Sequence, residues 1–399
     1  MTETDKRTIV KEALEEGGGI LRMTPAWVAR DFLPPGKRLG LKDEEYEVGE
    51  RGWISERWIG STTKADNRVG PPDEGLSHLV IEGHDLTLAE AVEAAGDLIM
   101  GAEYARTHKG LGRLAKIYDF GARIPFHIHQ RKKDAAKLGR NPKEEAYYFP
   151  EDVDLGPHPE TFFGVHPYIV REGKQDLLLP YMQEWKDDLI LQHSRAYLNV
   201  RGEGFHLPSG VLHAPGTALT IELQEDSDVF AMLQALNAGK VISKDLLFKD
   251  VTPEDRATKG ERAILEQIDW EISGDPFFYE NRHMPPVPVE ETKQDGGQES
   301  WIYYNTTKFS GKRLVVKPGQ TFNSVEKGVH NVLIWRGKGR YAGYDVEGLN
   351  FGSDELLVSH DAAVRPLLVE NTGSEDLIIF KFFGPDVNLD IPYIQPYHG

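Results

Sequence analysis

The pattern of apolar and polar positions changes at about residue 113. Before it, two stretches show helical spacing: residues 6–16, stopped by Gly17–Gly19, and the run LAEAVEAAG. Thr87 and Glu90 form a capping-box pattern at the start of this second helix. Pro- and Gly-rich loops separate these stretches. Residues 1–112 are therefore predicted to form a mixed α/β extension that packs on the domain that follows.

After residue 113, short apolar runs alternate with Gly, Pro and Asp, a pattern typical of antiparallel sheets. Thr252 and Pro253 predict the start of a helix, and a proline-rich linker follows it. The β pattern returns after Trp301. We predict a mainly β protein with two jelly-roll β-barrels, over residues 113–250 and 301–399. Residues 251–300 would form a short helical linker between them.

Two segments carry histidines at spacings that suit a metal site. His127 and His129 in GARIPFHIH would share one face of a strand, because side chains alternate between faces. His213 ends the segment GEGFHLPSGVLH. Glu145 in KEEAYYF lies between them, and Glu144 is its alternative. Three imidazoles and one carboxylate are a complete set of protein ligands for one divalent metal ion.

These spacings resemble the two motifs of the cupin superfamily, G-x5-H-x-H from Gly121 and G-x5-P-x-G-x2-H from Gly202. The glutamate comes later than in most cupins, after the insertion QRKKDAAKLGRNPKE. Such an insertion resembles type I phosphomannose isomerase. ERWIG at 56–60 is similar to that family's E-x-W-x-G element, and LPSGVLHA to its L-P-A-G-x-x-H-A element. The resemblance covers roughly residues 50–235.

The resemblance implies a bicupin with one divalent metal ion in the first barrel. Nitrogen and oxygen ligands suit zinc, manganese, iron, cobalt and nickel alike. The resemblance makes zinc the expected ion among them. The implied ligands are His127, His129, Glu145 and His213.

The same resemblance implies an aldose–ketose isomerase that acts on a mannose-like sugar or its phosphate. Glu222, nine residues after His213, is the expected base, which moves a proton between C2 and C1 through an enediol. Lys143 and Lys132 are expected catalytic groups that orient or protonate the sugar oxygens, and Glu56 is expected to contact the substrate.

Three positions depart from the family. His127 stands where the family has glutamine, Pro215 replaces a tyrosine, and Met232 replaces the catalytic arginine. A guanidinium is a natural partner of phosphate, so its loss weakens the prediction of a phosphorylated substrate. Other arginines could occupy the vacated place; the candidates are Arg123, Arg131 and Arg171.

Simpler roles exist for the same residues. Glu222 could form a structural salt bridge, Lys132 and Lys143 could belong to a solvated loop, and Glu56 could serve packing. Two other functions fit the ligand set: a metal-dependent cupin oxygenase, and a non-catalytic bicupin that binds sugar. Both would bind the metal ion at the same ligands. The first would catalyse a different reaction, and the second would catalyse none.

The second β region lacks most of the metal motif. His330 falls at the glutamate position, but Asn323 and Val325 replace the histidine pair and Ala363 replaces the third histidine. We therefore predict a second cupin without a metal site, in which His330 and His360 are structural or solvated.

Composition and charge narrow the classes of molecule that the protein could bind. The net charge of −18 argues against nucleic acid and anionic membranes, which need a basic surface. The absence of cysteine excludes disulfides and thiolate ligands, and no apolar run is long enough to cross a membrane. A cytoplasmic protein with a small-molecule partner is predicted, and a homo-oligomer is compatible with the sequence.

Overall fold

The computed structural model describes residues 1–399 and begins with a mixed segment of helices and strands. Thr2 and Thr87 cap its two longer helices through capping boxes. The elements are α1 (Glu3–Glu16), β1 (Ile20–Thr24), β2 (Ala26–Arg30), β3 (Trp53–Ile59), β4 (His78–Leu79), α2 (Leu88–Met100) and α3 (Ala102–Thr107).

The first β unit follows, with short helices inserted between its strands. Its elements are β5 (Arg113–Tyr118), β6 (His127–Ile128), α4 (Lys132–Ala135), β7 (Glu145–Tyr148), β8 (Glu160–Phe163), α5 (Pro167–Arg171), α6 (Leu179–Glu184), β9 (Arg195–Leu198), β10 (Gly204–Leu207), β11 (His213–Ala214), β12 (Thr220–Glu225), β13 (Ala231–Met232), β14 (Leu236–Asn237) and β15 (Lys240–Val241).

Four short helices and two short strands connect the units. They are α7 (Pro253–Lys259), α8 (Arg262–Gln267), α9 (Trp270–Ser273), α10 (Phe278–Arg282), β16 (His283–Met284) and β17 (Val287–Pro288). Thr252 caps α7 and Pro253 occupies its first turn, as the sequence predicted.

The second β unit contains β18 (Gly297–Tyr303), β19 (Ser310–Val316), β20 (Thr321–Ser324), β21 (His330–Arg336), β22 (Lys338–Tyr341), β23 (Tyr344–Glu347), β24 (Glu355–Val358), α11 (His360–Ala363), β25 (Leu367–Asn371) and β26 (Leu377–Phe383). Short 3-10 turns complete the chain, at Asp43–Glu45, Gly49–Arg51, Ala136–Leu138, Gln175–Leu178, Leu189–His193, Lys244–Leu246 and Glu290–Thr292.

The two units have the same strand order. In the first, the large sheet runs β16-β10-β7-β12-β5-β3-β2 and the small sheet β13-β6-β11-β8-β9. In the second, the large sheet runs β17-β18-β19-β26-β21-β24-β1-β4 and the small sheet β20-β25-β22-β23. Thus β10-β7-β12-β5-β3 corresponds to β24-β21-β26-β19-β18. Every pairing in both large sheets is antiparallel.

The two large sheets pack face to face, and the largest apolar core lies between them. Ile117 and Ile221 of the first unit share this core with Tyr303 and Phe380 of the second. Side chains alternate along each strand, so the remaining residues of the same strands point the other way, into the first unit. Residue Glu222, between Ile221 and Leu223, is one of these inward residues.

The structure confirms a mainly β fold of cupin type, with the strands of each unit divided between a large and a small sheet. The N-terminal segment, predicted to pack on the first unit, pairs with strands of both units. Its strands β2 and β3 join the first large sheet, whereas β1 pairs with β24 of the second. The domain boundaries remain a prediction. None of the helices is both long enough and apolar enough to span a lipid bilayer.

Candidate metal centre

A polar cavity lies inside the first unit, between its large and small sheets. His127 and His213 are direct partners across the small sheet, on β6 and β11. His129 follows β6, and its side chain returns to the same face because one residue separates it from His127. Glu145 begins β7 in the large sheet. The fold therefore brings the four predicted ligands together from both sheets.

The three imidazoles are held in the tautomer that a metal ion requires. Each ring donates its Nδ1 hydrogen to a backbone carbonyl 2.7–2.8 Å away: His127 to Pro125, His129 to Val229 and His213 to Val211. The Nε2 atoms therefore face the cavity as bare lone pairs. The side chains of all three residues are almost fully buried.

The carboxylate of Glu145 completes this cluster. Its oxygens lie 3.0 Å from Nε2 of both His129 and His213. Lone pairs and an anionic oxygen repel at this separation unless positive charge lies between them. Lys143 supplies part of this positive charge, because its ammonium lies 2.9 Å from the carboxylate of Glu145 and 3.1 Å from Nε2 of His129. The Nε2 atom of His213 has no hydrogen-bond partner.

These residues fit a divalent metal ion. The three histidine ligand atoms lie within 4.8 Å of one another, so they converge on a space that one ion can fill. Burial lowers the pKa of His127 well below its ordinary value, and burial with the charge of Lys143 lowers that of His129 to about 3. Neutral imidazoles are the form that binds metal. Three nitrogens and one oxygen suit several first-row ions.

Glu222 lies beside the cluster and is held by two ammonium groups. Lys143 is 3.2 Å from its carboxylate and Lys116 is 3.4 Å away. Lys116 is its direct partner across β5 and β12. Burial, together with the negative charge of Glu145, raises the pKa of Glu222 to about 7. Such a carboxyl group can both accept and return a proton near neutral pH.

Glu56 lines the far side of the cavity. Arg30 lies 2.7 Å from it, the indole Nε1 of Trp58 donates to it at 2.7 Å, and Lys116 is 3.7 Å away. Burial opposes its ionisation, but Arg30 and Lys116 lower the pKa of Glu56 to about 2. Arg30 also pairs with Asp228 at 3.1 Å. The cavity thus contains a chain of alternating charges: Glu145, Lys143, Glu222, Lys116, Glu56, Arg30 and Asp228.

Lys132 is the one proposed site residue that lies apart. It is exposed at the start of α4 and does not line the cavity. The inserted segment forms a helical turn that directs Lys132 to solvent, whereas Lys143, at its end, enters the cavity. The alternative ligand Glu144 points away, because its carboxylate bonds to His206 and Lys308.

The arginine candidates also lie outside the cavity. Arg123 pairs with Glu160, Arg131 donates to the carbonyl of Glu266, and Arg171 is exposed beside Glu172. Met232 lines the cavity and pairs in register with His127 across β13 and β6. None of these three arginines has taken its place.

Sequence reasoning missed Lys116, Arg30, Asp228 and Tyr147. The signal for Lys116 was present, because it is the one charged residue of the apolar run LAKIY. The hydroxyl of Tyr147 donates to Glu145, two residues earlier on β7. Arg30 and Asp228 are far apart in sequence and meet only in the folded chain, so no local pattern indicates them.

No protein-family model and no curated protein sequence match the chain. Solved structures of similar fold do match. A phosphomannose isomerase variant from Salmonella typhimurium is 11% identical, with 92% of this chain and 100% of that chain covered and a TM-score of 0.61. The mannose 6-phosphate isomerase from Bacillus subtilis is 13% identical (91% and 99% covered, TM-score 0.57). A zinc-bound mannose 6-phosphate isomerase is 11% identical (92% and 100% covered, TM-score 0.60).

The chain thus has the fold of these enzymes over nearly its whole length. The resemblance predicted from the motifs is confirmed at the level of the fold.

Proposed function

We propose that the protein is a metal-dependent aldose–ketose isomerase that acts on a mannose-like sugar. One observation carries the proposal: a buried carboxyl group, Glu222, lies beside a converging three-histidine, one-glutamate cluster in a cavity. The structural neighbours support the reaction class, since they include mannose 6-phosphate isomerases. The zinc-bound neighbour favours zinc among the metals that the ligands suit.

A bound divalent ion would polarise the sugar carbonyl and the neighbouring hydroxyl oxygen. Glu222 removes the proton from C2, and the electrons of that C–H bond form the C1–C2 double bond while O1 gains a proton. The resulting enediol returns the proton of its second oxygen to the group that protonated O1, and it receives the first proton from Glu222 at C1. The sum is an aldose converted to a ketose, with no atom gained or lost.

The other residues of the cavity keep this carboxyl group in place. Lys143 and Lys116 contact Glu222 from two sides, and both are buried. Lys143 is the candidate donor to the sugar oxygen, because its ammonium already lies among ligand atoms. Glu56, fixed by Arg30 and Trp58, is the candidate partner for a sugar hydroxyl.

The test combines metal analysis with an assay of Glu222→Gln. Purified protein should contain about one divalent ion, and removal of that ion should abolish interconversion of mannose and fructose. Glu222→Gln should retain the metal and lose roughly 1,000-fold in kcat, within the range for a general base. Glu225→Gln is the matched control: it lies on the same strand, outside the cavity, and pairs with Lys308. Full activity of Glu222→Gln would refute the proposed base.

A second candidate, a metal-dependent oxygenase, is favoured by the third histidine at position 127. Three histidines and one carboxylate also suit redox-active iron or manganese. Iron in the purified protein, oxygen consumption with an organic substrate and no isomerisation would support it. A non-catalytic sugar-binding protein predicts tight binding of sugar without turnover, unchanged by Glu222→Gln.

A further inference from the structure

The cationic groups of the cavity are already neutralised by carboxylates. Lys143 is paired with Glu145 and Glu222, and Lys116 with Glu222 and Glu56. The third cation, Arg30, contacts Glu56 and Asp228 and also donates to Asn67. Three cations thus face four carboxylates among the residues that line the cavity.

Of the residues that line the cavity, only Phe32, Ile124 and Asp228 are not fully buried, and the surface around the first two is apolar. Phe32 and Ile124 are half-buried, and they pack against the buried residues Phe230 and Met232 in one continuous cluster. All four line the cavity, as do Phe120 and Pro215. We call these six residues the apolar rim.

The basic residues near the rim have partners of their own. The ammonium of Lys249 lies 4.0 Å from the centre of the Phe230 ring, and it pairs with Asp66 and donates to the carbonyl of Asp228. Arg123, in the chain segment of Ile124, pairs with Glu160. Neither residue lines the cavity.

A dianionic phosphate would be badly accommodated here. A dianion that enters the rim would lose its hydration and find no unpaired donor cation there, which disfavours a buried charge. A metal ion would add positive charge at the histidine end, where the reacting carbonyl belongs. The rest of a hexose would contact the rim, which begins at Met232 beside His127 and extends to the half-buried Phe32 and Ile124. Apolar and aromatic surfaces pack well against the C–H groups of a neutral sugar.

We infer that the substrate is an unphosphorylated aldose, whose end remote from the carbonyl packs on the apolar rim. The inference rests on the proposed isomerase function and narrows its substrate class. It assigns to Met232, Phe230, Phe32 and Ile124 the choice of a neutral sugar over a sugar phosphate.

The experiment compares D-mannose with D-mannose 6-phosphate on the metal-loaded protein. We expect kcat/KM to be about tenfold or more higher for mannose, a difference of about 1.4 kcal/mol or more. Calorimetric binding of the same two sugars to metal-loaded Glu222→Gln gives a readout without turnover. If neither sugar is isomerised, the proposed function fails, and the binding preference still decides the substrate class. Equal or better use of the phosphate overturns the inference.

Variants of the rim test the assignment directly. Met232→Arg places a guanidinium at the rim and should raise the ratio of phosphate to free-sugar binding by about tenfold or more. Met232→Leu, which keeps an apolar side chain of similar volume, should leave this ratio as in the parent protein. Ile124→Arg is the second variant, because a half-buried position tolerates the long side chain. An unchanged ratio in both arginine variants would overturn the role of the rim.

Discussion

The two β units share a strand order, and their interiors use corresponding positions for different cations. In the first unit, Trp58 pairs with Lys116, and Lys116 pairs with Glu222. In the second unit, Trp301 pairs with Lys312. The strands match one for one, so Lys116 corresponds to Lys312, and Glu56-Arg57-Trp58 corresponds to Glu299-Ser300-Trp301.

The decisive difference between the two units lies on the next strand of the large sheet, β12 in the first unit and β26 in the second. Lys312 pairs with Lys381, which therefore takes the position of Glu222. The buried ammonium of Lys381 contacts Glu299 at 2.5 Å, Ser324 at 2.7 Å and Glu326 at 2.7 Å. Burial opposes its charge, but Glu299 and Glu326 raise the pKa of Lys381.

In the second unit, the space between the two sheets holds the ammonium of Lys381, a cation that is part of the chain. In the first unit, the corresponding space holds a set of ligands for a metal ion, a cation that can dissociate. The ammonium of Lys381 engages both Glu299 and Glu326, the two carboxylates that could otherwise bind a metal ion or contact a substrate. Two changes therefore separate the interiors: lysine replaces glutamate at the position of Glu222, and the second unit has no counterpart of the three-histidine cluster.

Removal of the fixed cation should have the largest effect. Lys381→Met leaves Glu299 and Glu326 buried with only Lys312 as a partner, and we expect unfolding free energy to fall by roughly 3–5 kcal/mol. Urea denaturation measures this loss. Lys317→Met is the control, because Lys317 is exposed directly after the adjacent strand β19 and pairs with Asp376; its effect should stay within about 0.5 kcal/mol. A loss below about 1 kcal/mol for Lys381→Met would contradict the assigned role.

Corresponding residues of the two units allow a matched test of the metal site. Glu145 pairs with Gln224 on β12, and His330 pairs with Phe383 on β26, so the two residues occupy the same position. Glu145→Gln removes the anionic ligand, and we expect metal affinity to fall roughly 100-fold or more, since loss of even an outer-shell partner costs 10–100-fold. His330→Gln should leave the affinity unchanged. Competition with a metal chelator measures both, and equal effects would place the metal elsewhere.

The sequence was most informative where the motif is local. The H-x-H spacing predicted that His127 and His129 share a face, and the spacing of nine residues from His213 pointed to Glu222; all three side chains line the cavity. The position of Lys132 could not be predicted, because it depends on the path of an inserted segment.

The correspondence between the units was also hidden in the sequence. The shared element is only E-x-W, as ERW in one unit and ESW in the other, and few other identities support it. Strand pairing makes it visible, because register equates positions whatever residues occupy them. Charge networks such as that of Arg30 with Glu56 and Asp228 likewise depend on contacts that only the fold creates.

His330 should give the smallest effect, through the pH dependence of stability. Its Nδ1 hydrogen is donated to the carbonyl of Gly328 at 3.0 Å, and its Nε2 has no partner. Burial is the main cause that lowers the pKa of His330 to about 3; Lys381 and Lys312 act in the same direction, and Glu299 opposes them. The ring is therefore neutral in the folded protein throughout the neutral and mildly acidic range.

The unfolded chain, in contrast, protonates this histidine near its ordinary pKa of about 6.5. Between pH 6.5 and 3 the unfolded state therefore binds more protons, so His330 makes the folded state less stable as pH falls and adds no such loss above pH 7. We expect His330 to account for about 1 kcal/mol of the unfolding free energy that is lost between pH 7 and pH 5.5. In urea titrations, His330→Asn should remove that share of the slope, whereas His360→Asn, at a half-buried surface position, should keep it. If His330→Asn left the slope unchanged, His330 would have to be protonated in the folded protein over this pH range. The interior of the second unit would then contain a further cation beside Lys312 and Lys381.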